Sequence, residues 1–231
     1  MAILECKDLT KRYGAKLALN KASFNIEPGR IVGLLGPNGS GKTTFLKICN
    51  GLLTPSEGGV LISGTAPGPS TKAVISYLPE RTYLNDWMTV AQIIDFFSDF
   101  YADFSREKAY AMLGSLKVNS RDRLKTLSKG TKEKVQLVLV MARDAKLYLL
   151  DEPIGGVDPA AREFILNTII KNYNPEGSVL ISTHLISEIE QILDDVIFLK
   201  DGEVTHAAPA DVLREQNNMS IDALFREVFR C

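Results

Sequence analysis

An α/β fold with a mostly parallel central sheet, an antiparallel β edge and an α-helical insert follows from three observations. Continuous apolar runs at Ile31 to Leu35, Leu147 to Leu150, Val179 to Ile181 and Val196 to Leu199 have the pattern of parallel strands buried on both faces. Helix-period segments connect the later runs, as crossovers between parallel strands require. Between residues 81 and 144 the strand pattern lapses and three segments with helical spacing take its place. A chain of 231 residues holds one such domain, with an α/β core over about 1–80 and 145–231 and the helical insert over about 81–144.

The first 26 residues read as short strands, with Ile3, Leu4 and Leu9 in one run and Ala22, Phe24 and Ile26 alternating with polar residues in the next. Pro28-Gly29 closes this stretch with a turn, and an antiparallel edge feeding the central sheet is the expected arrangement. Tyr13 lies in a polar stretch of that edge, where it either presents its ring to a base or packs its own hairpin. After the strand Ile31 to Leu35 comes Gly36-Pro37-Asn38-Gly39-Ser40-Gly41-Lys42-Thr43, and Thr44 to Cys49 continues as a helix. Glycines in such a loop let the backbone turn several N–H groups inward, forming a concave nest for phosphate oxygens. The following helix directs its positive end into that nest. Lys42 is placed to reach the outer phosphates as a mobile point charge, and the Thr43 hydroxyl to hold magnesium.

Val60 to Ile62 and Val74 to Tyr77 are short strand candidates. Within the insert, helices are expected over about Thr89 to Tyr101, Ser105 to Leu116 and Lys132 to Arg143. The stretch before the third, Leu127-Ser128-Lys129-Gly130-Thr131, opens a first turn carrying Lys129, Lys132 and Lys134 against Glu133 alone. That sign is wrong for an isolated helix start and suits an external anion. Asp151 and Glu152 end a buried strand, at the edge where open parallel sheets bind ligands. Beside a phosphate loop, Asp151 is suited to magnesium and Glu152 to polarising an attacking water. Further helices are expected over about Pro159 to Tyr173, Ile186 to Leu193, Pro209 to Gln216 and Ile221 to Phe229, with Asp201-Gly202 as a tight hairpin.

Composition narrows the partners. With 27 basic and 28 acidic residues the net charge is −1, which suggests neither nucleic acid nor an anionic membrane. Cys6, Cys49 and Cys231 are odd in number and widely spaced, as expected of reduced thiols. No run approaches the roughly 20 apolar residues of a spanning helix, so work at a membrane would need a second polypeptide.

Taken together, the phosphate loop (Walker A), an LSGGQ-like signature on the insert, the strand-borne Asp-Glu (Walker B), Gly155-Gly156-Val157-Asp158 in the manner of a D-loop, and Ser182-Thr183-His184 resemble an ATP-binding cassette (ABC) ATPase. That resemblance, running from about Leu4 to Gly202, implies a P-loop NTPase fold with ATP and Mg2+ as ligands. It implies that Tyr13 stacks on adenine, that Gly36, Pro37, Asn38, Gly39, Ser40, Gly41, Lys42, Thr43 and Thr44 bind phosphates, and that Thr43, Asp151 and Glu80 hold magnesium. Glu152 would be the base, with Lys42 and His184 at the γ-phosphate. Ser128 and Gly130 would bind the γ-phosphate of a second protomer in a head-to-tail homo- or heterodimer, with Asp158 at that interface.

Three positions depart from the family pattern: LSKGT replaces LSGGQ, Gly156-Val157-Asp158 replaces Ala-Leu-Asp, and Glu80 stands where the Q-loop has glutamine. None removes a catalytic group. The implied function is ATP hydrolysis powering a separately encoded membrane-spanning transporter subunit, with the chain cytoplasmic and held at the inner face of the membrane through that subunit. The Tyr77-Leu78-Pro79-Glu80 segment and compact C-terminus look like the export branch. Rival readings are a soluble cassette protein acting on ribosomes or DNA, and a small-molecule kinase using the same loop. Tyr83, Trp87 and Met88 either line a groove for the membrane subunit or pack the insert.

Overall fold

The computed structural model describes residues 1–229; Arg230 and Cys231, the latter expected to be a reduced thiol, lie outside the described residues. Six strands form the central sheet, in the order β5 (Ile75–Leu78), β6 (Leu147–Asp151), β7 (Ser178–Thr183), β3 (Ile31–Leu35), β8 (Asp195–Lys200) and β9 (Glu203–Pro209). The first five run parallel, and β9 returns antiparallel to β8 through the Asp201-Gly202 turn, where both residues take positive φ. Strand alternation divides the apolar runs between two cores. Val32, Leu34, Leu147, Leu149, Leu180, Ile197 and Leu199 face one, and Leu35, Tyr148, Leu150, Val179, Ile181, Val196 and Phe198 the other.

The expected antiparallel edge is instead a separate sheet. Strands β1 (Leu4–Tyr13), β2 (Lys16–Ile26) and β4 (Glu57–Ile62) pair antiparallel in the order β2, β1, β4. Their inward residues cover helix α1 (Lys42–Cys49), as in the 5.0 Å ring contact of Phe24 with Phe45. The hairpin was legible, but its partner was not, because Leu4 pairs with Ile62 across a long sequence separation.

A short helix α2 (Pro69–Lys72) precedes β5, and the second core is closed by helices α3 (Val90–Phe100), α4 (Arg106–Ser115) and α5 (Lys129–Met141) together with α6 (Pro159–Asn172). Thr89 caps α3 in a reciprocal pair with Gln92, and Ser105 caps α4. Helix α5 starts three residues earlier than its apolar pattern indicates because Ser128 is its cap, accepting from the Thr131 N–H at 3.2 Å. Helix α7 (Ile186–Ile189) is a single turn shorter in reach than expected, since the chain must enter β8 by Asp195. Helices α8 (Ala210–Asn217) and α9 (Ile221–Val228) finish the described chain, and Leu213, Ile221 and Leu224 join the second core.

Candidate active site

The parallel strands β5, β6, β7 and β3 deliver their carboxyl ends to one edge. Glu80 follows β5, Asp151 and Glu152 end β6, His184 follows β7, and the glycine loop follows β3. Gly36 is required by close approach: a Cβ there would lie 2.3 Å from the Leu199 carbonyl and 2.5 Å from Ser40 Oγ. Gly41 has φ +111°, and a Cβ would meet the Ala18 carbonyl at 2.4 Å. With Gly41 as a backbone-only cap and no acid in its first turn, α1 keeps its amino-terminal N–H groups open to an anion. The buried Ser40 Oγ has no protein partner.

Lys42, expected to reach out to phosphates, is only 5% exposed. Its ammonium donates to the carbonyls of Gly36 at 2.7 Å and Pro37 at 3.2 Å, and it stands 3.4 Å from Glu152 Oε1. Burial pulls its pKa below the ordinary lysine value, against the opposing field of Glu152. Glu152 takes φ +48°, a left-handed conformation that a non-glycine residue adopts at some energetic cost. The turn holds its carboxylate between Lys42 and His184, whose Nδ1 lies 3.1 Å from both Glu152 oxygens.

Asp151 is 1% exposed, and its Oδ1 accepts from Ser182 Oγ at 2.6 Å and Thr43 Oγ1 at 3.1 Å. Its Oδ2 is buried with no partner. Burial raises the Asp151 pKa, with the charges of Glu152 and Glu80 adding and the two hydroxyl donors opposing. An unsatisfied carboxylate oxygen beside the Thr43 hydroxyl is a hard-oxygen donor pair of the kind Mg2+ takes, so these residues fit that ion. Ser182 went unassigned by sequence reasoning; its only signal was its place two residues before His184.

The same burial yields a prediction. Because the folded-state pKa is raised, the ionised carboxylate is disfavoured in the folded chain, and stability falls as pH rises through that value. Asp151→Asn keeps the acceptor for Thr43 and Ser182 and removes the charge. Metal-free Asp151→Asn should therefore melt higher than wild type at neutral pH, by about 2–4 °C for each kcal/mol relieved, with the difference disappearing in acid below the ordinary carboxyl range. Calorimetric melting across pH checks this; equal midpoints at pH 7 would contradict it.

Tyr13, 46% exposed at the end of β1, lines a cavity of about 470 Å³ with Lys16, Asn38, Gly39, Gly41 to Thr44, Glu80 and Glu152. Lys16, which shares this cavity with Tyr13, was not foreseen. Ser128 and Gly130 do not line that cavity. They line a neighbouring one of about 200 Å³, which Glu80, Asp151, Glu152 and Asp158 also border. The excess positive charge expected at the start of α5 is partly answered within the chain, since Lys132 pairs with Asp86 at 2.6 Å and Lys129 approaches Glu133 at 3.9 Å. Asp158 caps α6, accepting from the Ala161 N–H at 3.1 Å. Met88 is buried in the second core, whereas Trp87 is 67% exposed.

Comparison with known proteins gives the family. A family model described as ABC transporter matches residues 19–155. The chain is 33% identical over 240 residues to the ABC-type transporter ATP-binding protein EcsA of Bacillus subtilis (strain 168), covering 99% of this chain and 97% of the relative. It is 32% identical over 210 residues to the SkfA peptide export ATP-binding protein SkfE of the same organism, covering 88% of each. A solved structure of the ATP binding subunit of an ABC transporter superposes with TM-score 0.86 at 29% identity, covering 99% of this chain and all of that one.

Proposed function

This chain belongs to the ABC transporter family as an ATP-binding protein with a P-loop NTPase fold, and we propose that it hydrolyses ATP to power a separate membrane-spanning subunit. The observation that carries this reading is the convergence of Lys42, Thr43, Asp151, Glu152 and His184 at one edge of the parallel sheet, with Asp151 Oδ2 buried and unpartnered. In the mechanism, backbone N–H groups of the loop after Pro37 and of the first turn of α1 cradle the phosphates, and Lys42 exchanges its carbonyl partners for phosphate oxygens. That exchange frees Glu152 from its cation, and its carboxylate takes the proton of the attacking water. His184 holds Glu152 in place and reaches the γ-phosphate, while Tyr13 stacks on the adenine. Thr43, Asp151 and Glu80 hold Mg2+, which neutralises charge on the phosphate oxygens when bound.

Ser128 and Gly130, which stand outside the phosphate cavity, act on the γ-phosphate of a second protomer in a head-to-tail dimer, with Asp158 at the contact. Residues 81–144, carrying α3, α4 and α5, form the helical insert on a core of about 1–80 and 145–231. Their apolar residues share one core with the parallel sheet, which supports an insert seated on the core rather than tethered beside it. Net charge −1 and the family relatives favour this reading over action on ribosomes or DNA.

None of the described helices is long and apolar enough to cross a membrane; in this reading the chain sits at the inner face through its partner. A groove of about 620 Å³, lined by Leu52, Tyr77, Tyr83, Phe97, Phe100 and Arg143 among others, is the surface for that subunit. Tyr83 borders it and Trp87 and Met88 do not. We favour export, supported by the peptide-export assignment of the relative SkfE. The test is co-purification with the membrane subunit. Phe100→Asp should weaken capture by about tenfold or more while the isolated chain hydrolyses ATP at the wild-type rate. Undiminished capture would remove the groove from the interface.

A further inference from the structure

Strand β5 is one edge of the central sheet, and the carbonyls of Ala73, Ile75 and Pro79 are each taken by a side chain from the α5 region rather than by another strand. Gln136 Nε2 donates to the Pro79 carbonyl at 3.2 Å. One turn on, Ser76 Oγ donates to the Val140 carbonyl at 2.8 Å. Past the helix end, the Arg143 guanidinium donates to the Ile75 carbonyl and to the Ala73 carbonyl at 2.7 Å, and it grips both oxygens of Asp103 at 2.9 Å with the Tyr101 ring 3.8 Å from its carbon. The positions 136, 140 and 143 are spaced by four and three, one face of a helix. The Ser76–Val140 and Arg143–Ile75 contacts are buried and the Gln136–Pro79 contact is partly buried, with Gln136 itself 2% exposed.

The outward carbonyls of a covered sheet edge need hydrogen-bond donors, and side chains supply them here. Here the cover is a polar ladder whose two ends reach different surfaces. Arg143 lines the groove assigned above to the membrane subunit, and Gln136 borders the cavity it shares with Glu80, Asp151 and Glu152. Pro79 is the residue before Glu80, and its carbonyl belongs to the peptide unit that aims Glu80. Gln136 Nε2 is the side-chain donor that holds that carbonyl.

We propose that Gln136, Ser76 and Arg143 clamp α5 to the edge of β5, making Gln136 the positioning residue for Glu80 and joining the metal side of the site to the floor of the groove. This rests on the reading of Glu80 as a magnesium ligand. With α5 and β5 moving as one body, a displacement at Arg143 arrives at Glu80 about 10 Å further along the helix.

The test is Mg2+ binding, followed by calorimetry on the full chain saturated with a non-hydrolysable ATP analogue. Gln136→Met should weaken Mg2+ by about tenfold, the scale expected when the support of a metal ligand is lost. Arg143→Lys, which keeps the charge and loses the fork, should weaken it in the same direction from the far end. Metal-free affinity for the analogue should stay at the wild-type value, which a general loss of structure would not allow. Wild-type Mg2+ affinity in folded Gln136→Met, with Glu80→Ala weakened, overturns the clamp and leaves the Glu80 reading standing. Wild-type affinity in Glu80→Ala overturns both. Should Arg143→Lys fail to fold, Ser76→Ala takes its place, and unchanged Mg2+ affinity in it counts against the clamp.

Discussion

Glu152→Gln is expected to bind ATP and to hydrolyse it about 10²–10⁴-fold more slowly than wild type, the range for loss of a positioned general base. The substitution preserves shape, so the left-handed backbone at residue 152 and the contact with His184 can persist while the carboxylate charge is lost. It also removes the 3.4 Å partner that holds Lys42 away from incoming phosphate, so ATP binding should be no weaker than in wild type. If the site is completed by Ser128 and Gly130 of a second protomer, unhydrolysed ATP should accumulate a closed dimer that scattering or size-exclusion chromatography detects. Adding Ser128→Arg should abolish that dimer and leave monomer binding largely intact. Wild-type turnover by Glu152→Gln would remove Glu152 as the base, and an equally monomeric protein with and without saturating ATP would remove the dimer mechanism for the isolated chain.

Lys42→Ala should cost about 10²–10³-fold in turnover, as for loss of one preorganised charged donor to the reacting group. The substitution should also lower the thermal midpoint, because the ammonium bonds the carbonyls of Gly36 and Pro37 and the Glu152 carboxylate at a buried position. Removing it leaves Glu152 beside Asp151 without its counter-charge, so metal-free Lys42→Ala should also bind nucleotide less well. Steady-state phosphate release, with the thermal midpoint as a folding control, measures both. A folded Lys42→Ala protein turning over at the wild-type rate would contradict the role.

The parts of this site legible in sequence are those whose chemistry is written in consecutive residues. Glycines 36, 39 and 41 announce a backbone that must turn and be approached closely, and Asp151-Glu152 at the end of an apolar run announces carboxylates at a strand terminus. Ser182 was not legible, because its bond to Asp151 joins adjacent strands 31 residues apart and a lone serine carries no pattern. Gln136 and Arg143 likewise act on carbonyls 57 and 68 positions away, and backbone acceptors leave no trace in residue identity. The resting partners of Lys42 were missed for the same reason. At the level of the fold, the hairpin of β1 and β2 could be read from local alternation, whereas its addition of β4 to make a second sheet depends on non-local pairing. Local capping chemistry, had it been weighed above apolar periodicity, would have started α5 after Ser128.

Release of inorganic phosphate from ATP by the purified chain, with Mg2+ present and then removed by chelation, tests the account most directly. It predicts release that requires Mg2+, that stops when the metal is withdrawn and returns when it is restored. Absence of release with Mg2+ and ATP both saturating, or release that persists undiminished in chelator, would contradict it.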